Sequence, residues 1–221
     1  MAIEKTVEMT CHDPVEALLF RRRSIRKYRT EVPPAAWIEA MIACGARAPS
    51  PSNSQPVRFV RISSSKIRDN LERTMAQRYQ DLLQAVERKG GAKKTRNILN
   101  ACFRYSEFLF KAPVIVAVGT GSPTGGFSGR LVEAGILPGD ARGETDLDIS
   151  VGLALKGFLI KGEALGLGTC ILSAPLVFLT DLERRIGIED IRIKCFITVG
   201  FADETPSFVE RKSLAEIYRE V

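Results

Sequence analysis

Two short segments of the chain carry groups that could do chemistry, one suited to a phosphate and the other to the edge of a heterocycle. The first is RRRSIRKYR, Arg21 to Arg29. Guanidinium forks match phosphate oxygens bidentately, and a serine hydroxyl adds a compact donor. Side chains of an extended segment alternate with period two, so Arg22, Ser24 and Arg26 would share one face with Arg23 beside them. The same basic residues would also complement the negative end of a preceding helix, and the cluster alone leaves both readings open. The second segment is SPSNSQP, Ser50 to Pro56. Pro49, Ser50, Asn53 and Gln55 place hydroxyl and amide groups on a constrained backbone. An amide side chain donates and accepts at once, which suits a ring edge with alternating carbonyls and nitrogens. An ordinary polar turn would have the same composition.

The rest of the polar inventory narrows the chemistry. His12 is the only histidine and lies in a polar N-terminal lead, so a Ser-His-Asp or Cys-His mechanism would rest on it alone. An enzyme without a usable histidine often leaves the chemistry to a cofactor. The five cysteines, Cys11, Cys44, Cys102, Cys170 and Cys195, are scattered and form no CxxC pair. That argues against a zinc site, an iron–sulfur cluster and a disulfide framework, and they read as small buried hydrophobes. A net charge of +6 favours an anionic ligand or partner. A nucleic-acid-binding module would have to use Arg21 to Arg29 and the run from Lys89 to Arg96, but interleaved aromatics are few and no binding signature is present.

The elements that must position these groups follow from periodicity. Asp13-Pro14 caps and opens a first helix with Val15, Leu18 and Leu19 on one face. Trp37, Ile38, Met41 and Ile42 mark a second helix between Pro34 and Pro49. A strand runs from Val57 to Ile62, a long helix from about Ser64 to Arg88, and a further helix from Lys93 to Lys111, separated by Gly90-Gly91. Ala112 to Gly121 is a buried strand. The glycine-rich stretch from Ser122 to Glu144 reads as a long loop. Asp146 to Leu165 is an apolar helix with small residues at Gly152, Ala154 and Gly157; it suits either a subunit interface or the centre of the monomer. Strands at Gly166 to Pro175 and Ile193 to Phe201 flank a short helix at Leu179 to Ile186. Helices and strands in mixed order, with no repeat, predict one α+β or α/β sandwich domain over 1–221.

The order of the motifs adds a resemblance. RRRSIRKY, a helix, then ARAPSPSNSQPVRF is similar to the N-terminal signature of the nitroreductase family, RRSxRxF, a helix, then APSxxNxQPW and a strand. Arg22, Arg23, Ser24, Arg26, Pro49, Ser50, Asn53, Gln55 and Pro56 match it. EALGLGTC, Glu163 to Cys170, resembles the family's AxxLGLGT strand, and ERKSL, Glu210 to Leu214, its C-terminal RKPL. The resemblance covers the whole chain except a variable substrate-pocket region at about 71–144. It implies a three-layer α/β/α sandwich with a mixed, mainly antiparallel sheet, one FMN, NADH or NADPH as electron donor, and a homodimer with the flavin at the interface. It assigns Arg22, Arg23, Ser24, Arg26 and Arg211 to the FMN phosphate and ribityl chain. Pro49, Ser50, Asn53 and Gln55 belong to a loop that reaches the flavin from the partner subunit. Leu172, Ser173 and Ala174 belong to a strand end whose backbone approaches the ring. Val57 replaces the family's tryptophan after QP, and Ser173-Ala174 stands where some members carry Glu-Gly.

The implied activity is a ping-pong transfer of electrons from NAD(P)H through the flavin to a nitroaromatic, quinone or activated alkene. No side chain need act as acid or base. Reductive dehalogenation, flavin fragmentation and flavin binding without turnover remain as alternatives on the same fold. No apolar run approaches the length of a membrane span and the N-terminus does not read as a signal peptide, so a cytoplasmic protein is expected.

Overall fold

The computed structural model describes residues 13–121, 127–138, 143–207 and 209–221; His12 and Cys11 lie outside them. The chain begins with α1, Pro14–Arg21, whose N-cap Asp13 accepts a hydrogen bond from Val15 N. Helix α2, Ala35–Ala46, buries Ile38, Met41 and Gly45. Strand β1, Val57–Arg61, leads into α3, Ser65–Arg88, capped by the Ser64 hydroxyl. Helix α4, Lys93–Glu107, follows the glycine break and tightens into a 3-10 turn at Phe108–Lys111, where a single helix was expected. Strand β2, Val114–Gly121, is central and buried throughout except at its last residue.

The expected loop from Ser122 to Glu144 needs correcting. It contains α5, Phe127–Glu133, and the next helix, α6, Gly143–Ala164, starts three residues earlier than its apolar pattern does. Polar Glu144, Thr145 and Asp146 fill its exposed or half-exposed first turn, which hydrophobic periodicity does not register. Strand β3, Gly168–Leu172, a 3-10 turn at Ala174–Val177, α7, Leu182–Ile186, strand β4, Ile191–Gly200, and α8, Leu214–Ile217, complete the order.

The sheet runs β1-β2-β4-β3, with every named pair antiparallel. Its only parallel element among the described residues is an isolated bridge from Ser24 to Thr169. A register shift between Val118 and Gly119 accommodates a bulge against Lys194. Helices cover both faces, giving three layers. Ile115, Ala117, Phe196 and Cys170 point to one core with Leu71, Met75 and Leu109, while Val114, Val116, Val118 and Cys195 point to the other with Ile38, Met41 and Phe158. This alternation along β2 and β4 is the period of two that a sheet covered on both sides requires.

Helix α6 is a central helix of the monomer along one stripe and uncovered along the other. Gly157 lies against the Cys44 carbonyl of α2, where an added Cβ would approach to 2.7 Å, and Val151, Ala154, Leu155 and Phe158 are buried. Gly152 faces open space, and Ile149 and Leu153 beside it are 52% and 43% exposed, so the opposite stripe of the helix is uncovered in one chain. The cysteines divide likewise: Cys170 and Cys195 are buried, Cys102 is intermediate, and Cys44 is exposed on α2 rather than in the core. No helix among the described residues is long and apolar enough to cross a membrane.

Candidate functional site

The basic segment is an added edge of the sheet. After α1 the chain turns extended, Ser24 bridges Thr169 of β3, and Tyr28 bridges Ala202 just past β4. Ile25 N donates to the Thr169 carbonyl at 3.0 Å and Arg29 N to the Phe201 carbonyl at 2.9 Å. Two glycines that face each other across β3 and β4, Gly168 and Gly200, make room for it. A Cβ on Gly168 would sit 2.8 Å from the Ile25 side chain, and one on Gly200 would sit 2.8 Å from the Tyr28 ring. The Tyr28 hydroxyl donates to the Ile25 carbonyl and lies 2.7 Å from Thr198 Oγ1. Burial pushes its pKa well above the usual phenol value, so it stays protonated and acts as a structural clamp.

With Ile25 buried beneath the segment, its neighbours alternate as the extended reading requires. Arg22, Ser24 and Arg26 all act on the Cys170 thiol. Burial pushes that thiol's pKa up, while the charge of Arg26, the Ser24 hydroxyl and the charge of Arg22 pull the other way. Ser24 reaches that thiol, and Arg22 and Arg26 lie near enough for their charge to act on it, so all three belong to the stretch of the edge beside β3. Arg23 turns aside, its guanidinium donating to the Ser207 carbonyl. Glu204 accepts from the backbone N–H groups of Arg26 and Lys27, and fixes the segment against the tail. Arg211 lies four residues beyond Ser207, exposed on that tail.

Farther along β3, Leu172 is buried, Ser173 is exposed, and the 3-10 turn begins at Ala174, whose carbonyl accepts from the Cys102 thiol of α4 at 3.9 Å. Ser173 is four strand residues from Thr169, so the strand end lies about 13 Å from the Ser24 position.

The serine-rich loop is elsewhere. Ser52, Asn53 and Gln55 have φ of 52°, 53° and 45°, left-handed conformations that are strained for side-chain-bearing residues. The Ser50 hydroxyl accepts from Gln55 N at 2.9 Å, the Gln55 amide donates to Asn53 Oδ1 at 3.3 Å, and Arg58 Nη1 donates to the Gln55 carbonyl at 2.9 Å. Between this loop and α6 lies a cleft of about 210 Å³, lined by Pro49, Ser50, Gln55, Arg58, Ser150 and Ala154 among others.

The two signatures do not meet within one chain. Val57, at the end of the loop, pairs through Thr120 to Arg192 at one end of β4, while Ser24 joins the opposite edge level with Val199 at the other end. Four interstrand spacings and six residues along β2 separate them, roughly 28 Å on the diagonal.

Sequence reasoning missed the residues that hold the basic edge in place. Gly200 and Glu204 lie outside every motif, and Tyr28 and Gly168 lie inside RRRSIRKY and EALGLGTC with no role assigned to them. A signal was available in one place: glycine opens β3 in GLGTC and closes β4 in ITVG, and antiparallel pairing of these two strands sets the two opposite one another.

A three-layer sandwich with a glycine-notched edge that carries Arg22, Ser24 and Arg26 defines the structural class. The chain belongs to the nitroreductase family, whose model matches residues 19–201. It is 22% identical over 218 residues to a Bacillus subtilis (strain 168) protein named "Putative NAD(P)H nitroreductase YfhC", covering 98% of this chain and 99% of that one. Among solved structures it is similar to a BluB-like flavoprotein from Clostridium difficile 630, with a TM-score of 0.79, 22% identity and coverage of 95% and 99% of the two chains. It is also similar to the FMN-dependent nitroreductase NfnB of Mycobacterium smegmatis, solved with NADPH, with a TM-score of 0.65, 19% identity and coverage of 93% and 97%. These likenesses establish the fold.

Proposed function

We propose that this single-domain chain is an FMN-dependent oxidoreductase that takes electrons from NAD(P)H and passes them to an electron-poor acceptor, working as a homodimer. The observation that carries the reading is the seating of the Arg22–Ser24–Arg26 segment as an added edge beside the Thr169 end of β3, about 13 Å along the strand from the exposed turn at Ser173. That spacing suits a phosphate joined to a flat ring by an extended polyol arm. The donor set fits the group: two guanidinium forks and a hydroxyl meet a dianionic phosphate, and a strand end offers backbone groups to a ring edge. No glycine fingerprint for a dinucleotide phosphate is present, which favours FMN over FAD.

FMN, when bound, would supply the two-electron redox chemistry between donor and acceptor, and the two would take turns in a ping-pong order. The residues of the chain bind and orient. Arg22, Ser24, Arg26 and Arg211 would hold the phosphate with Arg23 alongside, and the backbone at Leu172, Ser173 and Ala174 would stabilise negative charge on the ring. The acceptor class is a nitroaromatic, quinone or activated alkene.

The dimer is inferred from incompleteness. Val57, at the end of the serine-rich loop, lies roughly 28 Å from the basic edge and about 17 Å from the strand end at Leu172 of its own chain, so a second subunit is the source that brings Pro49, Ser50, Asn53 and Gln55 onto a flavin held there. The uncovered stripe of α6, Ile149 and Leu153, and exposed Leu214, Ile217 and Tyr218 on the tail supply apolar surface for that interface.

Absorbance of the purified protein tests the cofactor, and heat release identifies it: FMN is expected, and FAD or a colourless protein overturns the reading. Light scattering tests assembly; a monomer retaining full FMN and activity overturns the dimer. NAD(P)H consumption with a quinone separates turnover from mere flavin binding.

A further inference from the structure

Helix α3 carries a second polar site on the layer away from α6. Asn70, Arg73, Thr74, Gln77 and Asp81 recur on one helix face and, with Arg78, Gln80 and, from α7 and the turn before it, Thr180 and Arg185, line a groove of about 730 Å³. That volume lies in the range of small-molecule sites, and the groove is open to solvent.

The groove is positively charged and its cations are uncommitted. The ion pairs among the described residues leave out Arg73, Arg78 and Arg185. Two of the three are pinned by one edge only: Arg73 Nε donates to the Asp69 carbonyl at 3.2 Å and Arg185 Nε to the Thr180 carbonyl at 3.0 Å. Each guanidinium is thereby oriented with its two Nη groups left for a bidentate partner. The one carboxylate in the lining, Asp81, is already engaged by the Gln77 amide at 3.0 Å. Oriented guanidinium edges with amides and hydroxyls around them select a phosphate monoester on a polar, hydrogen-bonding body.

The groove also lies within reach of the proposed ring site. Thr180 follows Ala174 by six residues, which bounds their separation at about 20 Å even for a fully extended chain, a distance that an extended dinucleotide can bridge. We propose that the α3–α7 groove binds the adenosine 2′-phosphate of an NADP-type electron donor, making this chain selective for NADPH. The site is new; its use by the donor rests on the flavin reading above.

The probe is 2′,5′-ADP, titrated calorimetrically into the purified protein beside 5′-AMP and inorganic phosphate. We expect 2′,5′-ADP to bind at least tenfold more tightly than 5′-AMP, as a charge-assisted phosphate contact predicts. R73A/R185A, and separately R78E, should erase that difference while flavin content and thermal midpoint stay as in wild type. The NADPH-to-NADH ratio of kcat/KM should fall by about tenfold or more, through KM. Equal binding of the two nucleotides, discrimination that survives in the variants, or inorganic phosphate binding with no nucleotide preference overturns the proposal. A yellow protein without discrimination defeats the groove alone; a colourless protein that still discriminates defeats the flavin reading and leaves the phosphate site standing.

Discussion

Replacing Gly168 by alanine should loosen flavin binding without touching a polar group. The backbone there is not left-handed, so alanine meets no conformational barrier. Its Cβ, however, would stand 2.8 Å from Ile25 Cβ and Cγ1 and 2.9 Å from Cγ2. Ordinary contact begins near 3.4 Å, so the Ile25 side chain must retreat by about 0.6 Å. Ile25 is 7% exposed and has little room to turn, so the movement passes into the extended segment that carries Ser24 and Arg26. Overpacking of this kind costs about 1–3 kcal/mol. In a chain of this size that lowers the melting temperature by roughly 3–10 °C. Loss of one charge-assisted contact to the phosphate should weaken FMN by about tenfold. The assay is FMN titration of apoprotein by fluorescence quenching, with thermal melts of both forms. The decisive control is I25A, which removes two of the three clashing atoms and keeps Cβ: G168A should cost clearly less in the I25A background than in the wild type, and close to nothing in I25G, which removes all three. An equal cost in both backgrounds, or no cost in either, refutes the notch as the device that seats the basic edge.

Three further outcomes are expected. Arg26→Ala should weaken FMN by roughly tenfold or more, as read by dialysis against apoprotein, while its melting temperature without FMN changes little because the exposed guanidinium forms no ion pair among the described residues; unchanged retention removes it from the clamp. Tyr28→Phe should cost about 1 kcal/mol by denaturant unfolding. Because burial raises the Tyr28 pKa in the folded state above the ordinary value of 10.0, the wild type should lose stability as pH climbs past about 10 and Y28F should lose less; parallel alkaline profiles contradict the assignment. Burial also pushes the Cys195 thiol up to about 12, so iodoacetamide at pH 8 should label exposed Cys44 and spare Cys195 until the protein unfolds, as read by peptide mass spectrometry.

Much of the fold was legible because its signals are local. The Asp13-Pro14 cap, the Gly90-Gly91 break, and the continuous apolar runs of β2 and β4 each reveal an element without reference to the others. The alternation of Arg22, Ser24 and Arg26 was legible for the same reason, since it needs only an extended backbone. Helix α5 was hidden because FSGRLVE is short, contains glycine and has little periodicity. Gly200, Tyr28 and Glu204 were hidden for a different reason. Their roles exist only once β4 and the tail lie beside a segment some 170 residues earlier, as in the 170-residue separation of Tyr28 from Thr198. No window along the chain contains both partners. The left-handed residues of the serine-rich loop fall between these cases: asparagine hints at such a conformation, but serine and glutamine do not.

The added edge has a consequence for how the protein is born. Arg26 and Glu204 are 178 residues apart, and the pairing of Ser24 with Thr169 spans nearly as much of the chain. On the ribosome, the segment from Arg22 to Tyr28 emerges early and finds no strand to join until β3 and β4 have been synthesised and paired. Until then its arginines are exposed and unordered by any sheet. Under the proposed assignment, FMN would therefore be a ligand only for finished chains, and a nascent or C-terminally truncated product would have no assembled edge with which to capture its phosphate.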